Sequence, residues 1–117
     1  MDSNGPAVSV VMPMHNAARY VERALRSLAS QSFTDFELLV VDDASSDGSG
    51  EIARAIIAQC PQLQAHSRVI AHETNRGSAA ARKTGMQAAK GDFLIHVDSD
   101  DWVEPDFLAL LHGEAVR

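Results

Sequence analysis

The sequence predicts an α/β fold in which a mostly parallel β-sheet is covered by helices on both faces. Three observations predict it. Short apolar segments alternate with longer amphipathic ones, the short segments are continuously apolar, and a polar cluster follows each of them. Continuously apolar strands are typical of parallel sheets buried on both faces. With 117 residues, the chain has room for one such domain with one core.

The elements are predicted in the order β-α-β-α-β-α-β-α. Apolar, largely β-branched runs predict strands at 8–12, 36–41, 67–73 and 93–97. Apolar residues at helical spacing predict helices within 17–31, 49–60 and 75–92, and a last helix within 103–117. This alternation is what a three-layer α/β/α arrangement needs.

Helix boundaries are predicted from residues that start or stop a helix. Asn16 and Ser49 are expected to cap the first two helices, and Pro61 to prevent the second from continuing. Gly91 is expected to end the third helix in a left-handed conformation. Pro105 is expected in the first turn of the last helix. The inward-facing residues of that helix are predicted to be Phe107, Leu108 and Leu111.

Composition and charge argue against several partners and locations. A net charge of −6 argues against nucleic-acid backbones and anionic lipid as partners. Cys60 is the single cysteine, so a disulfide framework is excluded and a reducing, cytoplasmic compartment fits. Residues 1–7 lack the apolar core of a signal peptide, so we expect a disordered leader before a domain at 8–117. The apolar runs are too short for a transmembrane segment.

The polar clusters all follow strands, and ligands of parallel sheets bind beyond the carboxyl ends of the strands. The four predicted strands lead into PMHN, DDASSDGS, HETNRG and DSDDW. The sequence therefore predicts a functional site along this one edge of the sheet.

Asp98 and Asp100 are the sharpest feature of that edge. They are two residues apart, so in an extended segment both side chains project to the same side. Two convergent carboxylates suit Mg²⁺ or Mn²⁺, which also bind substrate phosphates. The alternative is a solvated acidic turn before the next helix, and such turns are common.

Asp42 and Asp43 end the second strand and allow two interpretations. Either carboxylate could accept hydrogen bonds from a ribose or a base, or the pair could form a turn that leads into the next helix. Arg82 would lie in the second turn of the third helix, within reach of a phosphate or base. Its alternative is an ordinary surface ion pair.

Three stretches together closely resemble family 2 glycosyltransferases: VSVVMPMHNAARYVERALRSLASQSFTDFELLVVDDASSDGS, NRGSAAARKTG and AKGDFLIHVDSDDWVEPDFL. The resemblance covers nearly all of the chain from Val8 to Leu108. It implies the GT-A form of the Rossmann-like fold and an inverting, metal-dependent enzyme that uses a nucleotide-diphosphate sugar, with UDP as the expected nucleotide. Polysaccharide biosynthesis is among the family's activities.

The resemblance also implies roles for individual residues. Pro13 to Asn16 resemble the first loop, which flanks the nucleoside, and His15 stands where a tyrosine is frequent. Asp43 matches the carboxylate that contacts the base, and Asp42 supports the loop.

The remaining roles concern the diphosphate. Arg82 matches a basic position near the nucleotide. Asp98 and Asp100 match the D-x-D motif, so Mn²⁺ or Mg²⁺ is the implied cofactor. Asp100 is implied to contact the metal directly, Asp98 to lie nearer the ribose or sugar, and Asp101 to support them.

The resemblance places the general base outside this sequence. In the family it is an acidic residue well downstream of the D-x-D motif, together with the acceptor-binding segments, whereas this sequence ends at Arg117. No catalytic residue is therefore assigned, and we expect the donor-binding part of a longer enzyme whose acceptor is a saccharide, lipid or protein. An uncovered sheet edge predicts a homo-oligomer. For the full-length protein, docking at the inner face of the membrane stays open.

Three other classes of protein were weighed. A phosphoacceptor receiver domain would place its acidic pair after the first strand, and a Mg²⁺-dependent phosphatase would place D-x-D there. Here the acidic pair follows the second strand and D-x-D follows the fourth. The main alternative is a non-catalytic nucleotide-binding or interaction module.

Overall fold

Four parallel strands form the centre of the structure, a computed structural model that describes residues 5–117. They are β1 (Val8–Met14), β2 (Phe36–Asp42), β3 (Ser67–Ala71) and β4 (Phe93–His96), in the spatial order β3-β2-β1-β4. The helices of this range are α1 (Val21–Ala29), α2 (Ser49–Gln59), α3 (Pro61–Gln64), α4 (Ser78–Ala88) and α5 (Phe107–Ala115). Every strand pair is parallel, so all carboxyl ends lie at one edge.

The helices cover both faces of the sheet, as predicted. Val10 and Met12 of β1 belong to the apolar core that includes Val21 and Leu25 of α1. Val11, between them, packs against α4. Because neighbouring residues of a strand point to opposite faces, α1 and α4 lie on opposite sides of the sheet. Burying both faces explains why β1 and β2 are mainly apolar on both faces.

Gly85 allows α4 to approach the sheet closely. A Cβ at this position would overlap Val11 Cγ1 and lie 3.1 Å from its Cγ2. Val11 is fully buried and β-branched, so it has little freedom to move away. The close packing of α4 against β1 therefore requires glycine at position 85.

We expect Gly85→Ala to lower the free energy of unfolding by about 1–3 kcal/mol, since overpacking outweighs the better helix propensity of alanine. Chemical denaturation measures this. Gly113→Ala in α5 is the matched control, because a Cβ there meets nothing within 4 Å. That change should be neutral or stabilising by up to about 1 kcal/mol. Equal effects of the two substitutions would contradict the packing argument.

The strand at the β4 edge differs from the prediction. We expected a continuously buried strand, but Leu94 and His96 are exposed while Phe93 and Ile95 are half-buried. β4 pairs with β1 along one side, and α4 packs over β1 and β2. One face of β4 is therefore left open to solvent.

Two predicted helix starts are wrong. Asn16 does not cap α1, which begins at Val21, because its side-chain oxygen accepts a hydrogen bond from the Ser46 N–H at 2.8 Å. Ser49 is the first residue of α2, and Gly48, with a φ of 86°, precedes it. In both cases the side chain is engaged in contacts between two loops.

α2 ends before Pro61, as predicted. The boundaries predicted at Gly91 and Pro105 are wrong. Gly91 lies beyond the end of α4 and packs against Ser9, where a Cβ would be 2.6 Å from the backbone nitrogen. Pro105 precedes α5, which begins two residues later. Leu108 is fully buried, whereas Leu111 is exposed.

The amino-terminal segment is packed where it is described. Residues 1–4 of the predicted leader lie outside the described residues. Residues 5–7 are half-buried, and the Ala7 carbonyl accepts a hydrogen bond from the Phe93 N–H at 3.0 Å. Residues 5–7 therefore pack beside β4. Among the described helices, none has the length and apolar composition needed to cross a bilayer.

Candidate functional site

A cleft of about 470 Å³ opens at the carboxyl edge of the sheet. Its walls come from the segments after β1, β2 and β4 and from the start of α4. Seven of the eight predicted site residues line it: Pro13, His15, Asn16, Asp43, Arg82, Asp98 and Asp100. The polar clusters therefore converge at one edge, as expected for parallel strands.

Asp42 is the exception and lies beneath the loop that follows β2. Its Oδ1 accepts a hydrogen bond from the Ser45 N–H at 3.0 Å. Its Oδ2 faces Gly50, where a Cβ would lie 2.5 Å away. The carboxylate therefore forms a turn, the alternative that the sequence left open. Asp42 supports the loop and does not line the cleft.

Asp43 is buried at the base of the cleft and accepts three hydrogen bonds. His72 Nδ1 and the Arg76 N–H both donate to Oδ1 at 2.8 Å. The Gly77 N–H donates to Oδ2, also at 2.8 Å. Gly77, at φ 95°, is the residue before α4. One carboxylate thus joins the end of β2 to the residue after β3 and to the loop that begins α4.

The pKa of Asp43 reflects two opposing effects. Burial alone would raise it, because a desolvated carboxylate favours the neutral form. The hydrogen bonds from Arg76, His72 and Gly77 outweigh that effect and hold the pKa below its ordinary value. Asp43 is therefore a stable anion at neutral pH, held in one orientation.

His72 was not identified from the sequence. Its ring is 5% exposed, and its Nε2 lies 2.8 Å from Thr84 Oγ1 of α4. With Nδ1 on Asp43, the imidazole connects the β2 end to α4. The only sequence signal was its place just after the third strand, within HETNRG. Sequence periodicity does not show that position 84, twelve residues later, faces it.

His15 holds the first loop against the second. Its Nδ1–H donates to the Asp43 carbonyl at 2.9 Å, which leaves Nε2 as an acceptor for the Asn75 side-chain N–H at 3.1 Å. Asn16, at φ 54°, donates its backbone N–H to Ser45 Oγ at 3.0 Å. These contacts place His15, Asn16 and Asn75 together on the wall of the cleft.

Asp47 and Ser49 fix the same loop pair from behind. The Asp47 Oδ2 accepts the Ala18 N–H at 3.1 Å, and its Oδ1 accepts a short hydrogen bond from the Ser49 hydroxyl. Ser49 Oγ in turn accepts the Ala17 N–H at 2.8 Å. The Ser49 hydrogen bond is the main reason that the pKa of Asp47 is lowered. These hydrogen bonds therefore join the loop after β1 to the loop before α2.

The acidic cluster lies at the other side of the cleft. Asp98, Asp100 and Asp101 are exposed, and an oxygen from each lies within 4.8 Å of the others. Ser99 between the first two is buried, and the Asp101 N–H donates to the Asp98 carbonyl at 3.1 Å, so the cluster lies on a turn and not on the extended segment that was expected. Like charges at this distance repel, and carboxylate oxygens are the ligands that Mg²⁺ and Mn²⁺ prefer. The donor set therefore fits a hard divalent cation.

Arg82 lies in the second turn of α4, as predicted, and lines the cleft. It is exposed, and within residues 5–117 it forms no ion pair with a carboxylate. The surface ion pair considered as the alternative is therefore not found in this part of the chain. A cation and an acidic cluster thus line one cleft.

Known proteins are similar to this chain in sequence and in fold. The profile described as Glycosyl transferase family 2 matches residues 9–117. The chain is 37% identical over 102 residues to the "Putative glycosyltransferase EpsH" of Bacillus subtilis, a match that spans 87% of this chain and 28% of EpsH. It is 31% identical over 112 residues to the chondroitin synthase of Pasteurella multocida, spanning 96% of this chain and 11% of that protein.

Solved structures are also similar to this chain in fold and in sequence. TarS from S. aureus, residues 1–349 in complex with UDP, superimposes with a TM-score of 0.82 at 34% identity, over 91% of this chain and 31% of that TarS fragment. The mannosyltransferase PcManGT from Pyrobaculum calidifontis, in complex with GDP-Man and Mn²⁺, superimposes with a TM-score of 0.77 at 29% identity. That match covers 84% of this chain and 28% of PcManGT, so the chain spans about a third or less of these relatives.

Proposed function

Since the chain belongs to glycosyl transferase family 2, we propose that its cleft binds a nucleotide-diphosphate sugar, with UDP as the nucleotide, for inverting transfer to an acceptor hydroxyl. The fold is the GT-A fold that the sequence predicted. The observation that carries the proposal is the convergence of Asp43, Arg82 and the Asp98–Asp100 pair on one cleft. The structures of TarS with UDP and with UDP-GlcNAc support the choice of nucleotide.

In this proposal Asp43 recognises the base. Its Oδ2 accepts one hydrogen bond from the described residues, from Gly77, so this oxygen can accept another from the N–H of uracil. His15 and Asn16 flank the nucleoside on the adjoining wall. Because Asp43 is already held by three donors, it can bind the base without ordering a mobile side chain.

Arg82 and the acidic cluster act on the diphosphate. The Arg82 guanidinium is a bidentate donor that suits phosphate oxygens. Asp98 and Asp100 would hold Mn²⁺ or Mg²⁺, with Asp101 in support, consistent with the Mn²⁺ in the PcManGT structure. When bound, such a cation supplies positive charge that offsets the charge of the diphosphate leaving group. Without it, three carboxylates would repel the diphosphate.

The reaction of the whole protein is also a proposal. The acceptor hydroxyl attacks the anomeric carbon from the face opposite the diphosphate, which inverts the configuration. A general base must take the proton from that hydroxyl, and we assign it to no residue of this sequence. A saccharide, lipid or protein acceptor, self-association and membrane docking of the full-length protein stay predictions. The main alternative function is nucleotide binding without turnover.

Calorimetric titration of UDP into the chain, with Mn²⁺ and with EDTA, tests the proposal. We expect binding with Mn²⁺ and at least about tenfold weaker binding with EDTA, equivalent to ~1.4 kcal/mol. GDP and TDP serve as comparisons for the base. A cooperatively folded sample that ignores all three nucleotides with Mn²⁺ would refute a donor site. UDP binding without release of UDP from UDP-GlcNAc would favour the non-catalytic alternative for this chain.

A further inference from the structure

A second, open groove of about 790 Å³ runs along α1 beside Trp102. Arg19, Arg23 and Arg26 line it, three of the ten Lys and Arg residues of a chain with net charge −6. Arg19 lies just before α1, and the other two follow at helical spacing on one face. Positive charge is therefore concentrated on one surface of an acidic protein.

The arginines of the groove differ in how far they are already engaged. Arg26 pairs with Glu22 at 2.8 Å and donates to Gln59 at 3.0 Å, so it is held in place. Within the described part of the chain, neither Arg19 nor Arg23 pairs with a carboxylate; the Arg19 guanidinium lies 5.8 Å from the centre of the Tyr20 ring. Two guanidinium groups thus remain available to an anion.

Trp102 is exposed on a backbone that is itself fixed. Half of its surface is exposed to solvent. The next residue, Val103, donates its N–H to Ser27 Oγ of α1 at 3.2 Å, and Gln31 donates to the Glu104 carbonyl at 2.6 Å. Hydrogen bonds to α1 and to Gln31 just beyond it therefore hold the segment after the acidic cluster, whose Trp102 lines the groove together with the arginines.

The groove adjoins the cleft at two points of the chain. Trp102 is two residues from Asp100, so their Cα atoms are at most about 7.6 Å apart. Arg19 of the groove precedes Tyr20 of the cleft wall. The groove and the cleft in which the donor is proposed to bind are therefore neighbouring surfaces.

We propose that this groove binds an anionic saccharide, an extension of the acceptor beyond the acceptor-binding segments that the family carries downstream of the D-x-D motif. A planar indole offers a face for a sugar ring, and guanidinium groups offer paired donors to a carboxylate or phosphate on that ring. Trp102 supplies the indole, and Arg19 and Arg23 supply the guanidinium groups. The role of the saccharide as acceptor rests on the proposed function, but saccharide binding to the groove can be tested separately.

An anionic membrane is the less favoured occupant. Trp102 is the one large apolar side chain that lines the groove within the described residues. Membrane attachment needs a larger apolar face as well as positive charge. The groove instead has the size and polarity of a site for a few sugar rings.

Trp102 is the only tryptophan of the chain, so its fluorescence reports on the groove directly. The probe is a hexamer of galacturonate, and neutral maltohexaose of equal length is the control. EDTA is present throughout, so that no metal carries the anion into the cleft. We expect the acidic hexamer to change the emission saturably, the neutral hexamer not to, and added salt to weaken binding.

Variants separate the groove from the cleft. Arg23→Gln should weaken hexagalacturonate binding about fivefold, the upper end for one exposed ion pair. Arg68→Gln, an exposed arginine on β3, should leave binding unchanged. Arg23→Gln should also leave Mn²⁺-dependent UDP binding unchanged, so a failure of the donor site is seen independently.

Two results would overturn the proposal. The first is equal binding of both hexamers, or no binding of the acidic one at millimolar concentration. The second is an Arg23-dependent partition onto phosphatidylglycerol vesicles in place of saccharide binding, which would assign the groove to a membrane.

Discussion

Asp43→Asn will lower the free energy of unfolding by about 1.5–3 kcal/mol, the range for hydrogen bonds to a charged group. The carboxylate accepts from Arg76, His72 and Gly77, and its side chain is only 4% exposed. An amide has a single acceptor oxygen and would turn its N–H groups toward one of those donors. A buried donor is then left without a partner, which costs more than a missing surface contact. Urea denaturation at pH 7 measures the loss.

The same substitution should change the pH dependence of stability. Because the folded-state pKa of Asp43 lies below the unfolded value near 3.8, the protein gains stability from this carboxylate above pH 3.8. That contribution is lost as the pH falls through the folded-state pKa. The stability difference between wild type and Asp43→Asn should therefore shrink as the pH falls below about 4.

Asp42→Asn is the matched control, since Asp42 is also buried but accepts one hydrogen bond from the described backbone, from Ser45. Its loss should be smaller, about 0.5–1.5 kcal/mol. UDP affinity should fall in Asp43→Asn, because this carboxylate is proposed to contact the base and also holds Gly77 of the cleft wall. If the two asparagine variants were equally stable, Asp43 would not be the residue that organises the edge.

The fold was predictable because its signals are local. β1 and β2 are mainly apolar, and Pro61 stops α2 whatever the rest of the chain does. The exposure of β4 was harder to predict from the sequence, because it depends on which strands α4 covers. Asn16 and Ser49 show that local sequence does not determine a helix cap. Both have side chains that suit a helix cap, but contacts between the β1 and β2 loops engage them instead.

The set of residues that form the site could also be predicted from the sequence. Parallel topology alone brings the residues after each strand to one edge, so Asp43, Arg82 and Asp98 could be grouped without coordinates. What each side chain touches was not predictable. Neighbours in sequence, Asp42 and Asp43, face different surroundings, and His72 meets Thr84 through the packing of α4 on the sheet. Such pairings depend on helix rotation, which composition and spacing do not determine.

Asp100→Asn will remove most of the metal-dependent affinity for UDP while leaving the fold intact. Asp100 is exposed and lies within 4.8 Å of Asp98 and Asp101, so its substitution removes one of three mutually repelling charges. The melting temperature should therefore stay the same or rise, whereas UDP affinity with Mn²⁺ should fall at least about tenfold.

Asp92→Asn is the control for overall charge, because Asp92 is exposed at the opposite end of β4. It should leave calorimetric binding of UDP with Mn²⁺ unchanged. With EDTA, wild type and Asp100→Asn should become equally weak, because the carboxylate is proposed to act through the cation. If Asp100→Asn bound UDP as tightly as wild type and kept its response to Mn²⁺, the cation would have to lie elsewhere, and Asp98 and Asp101 would be an ordinary acidic turn. A loss that persisted in EDTA would instead mean that Asp100 contacts the nucleotide directly.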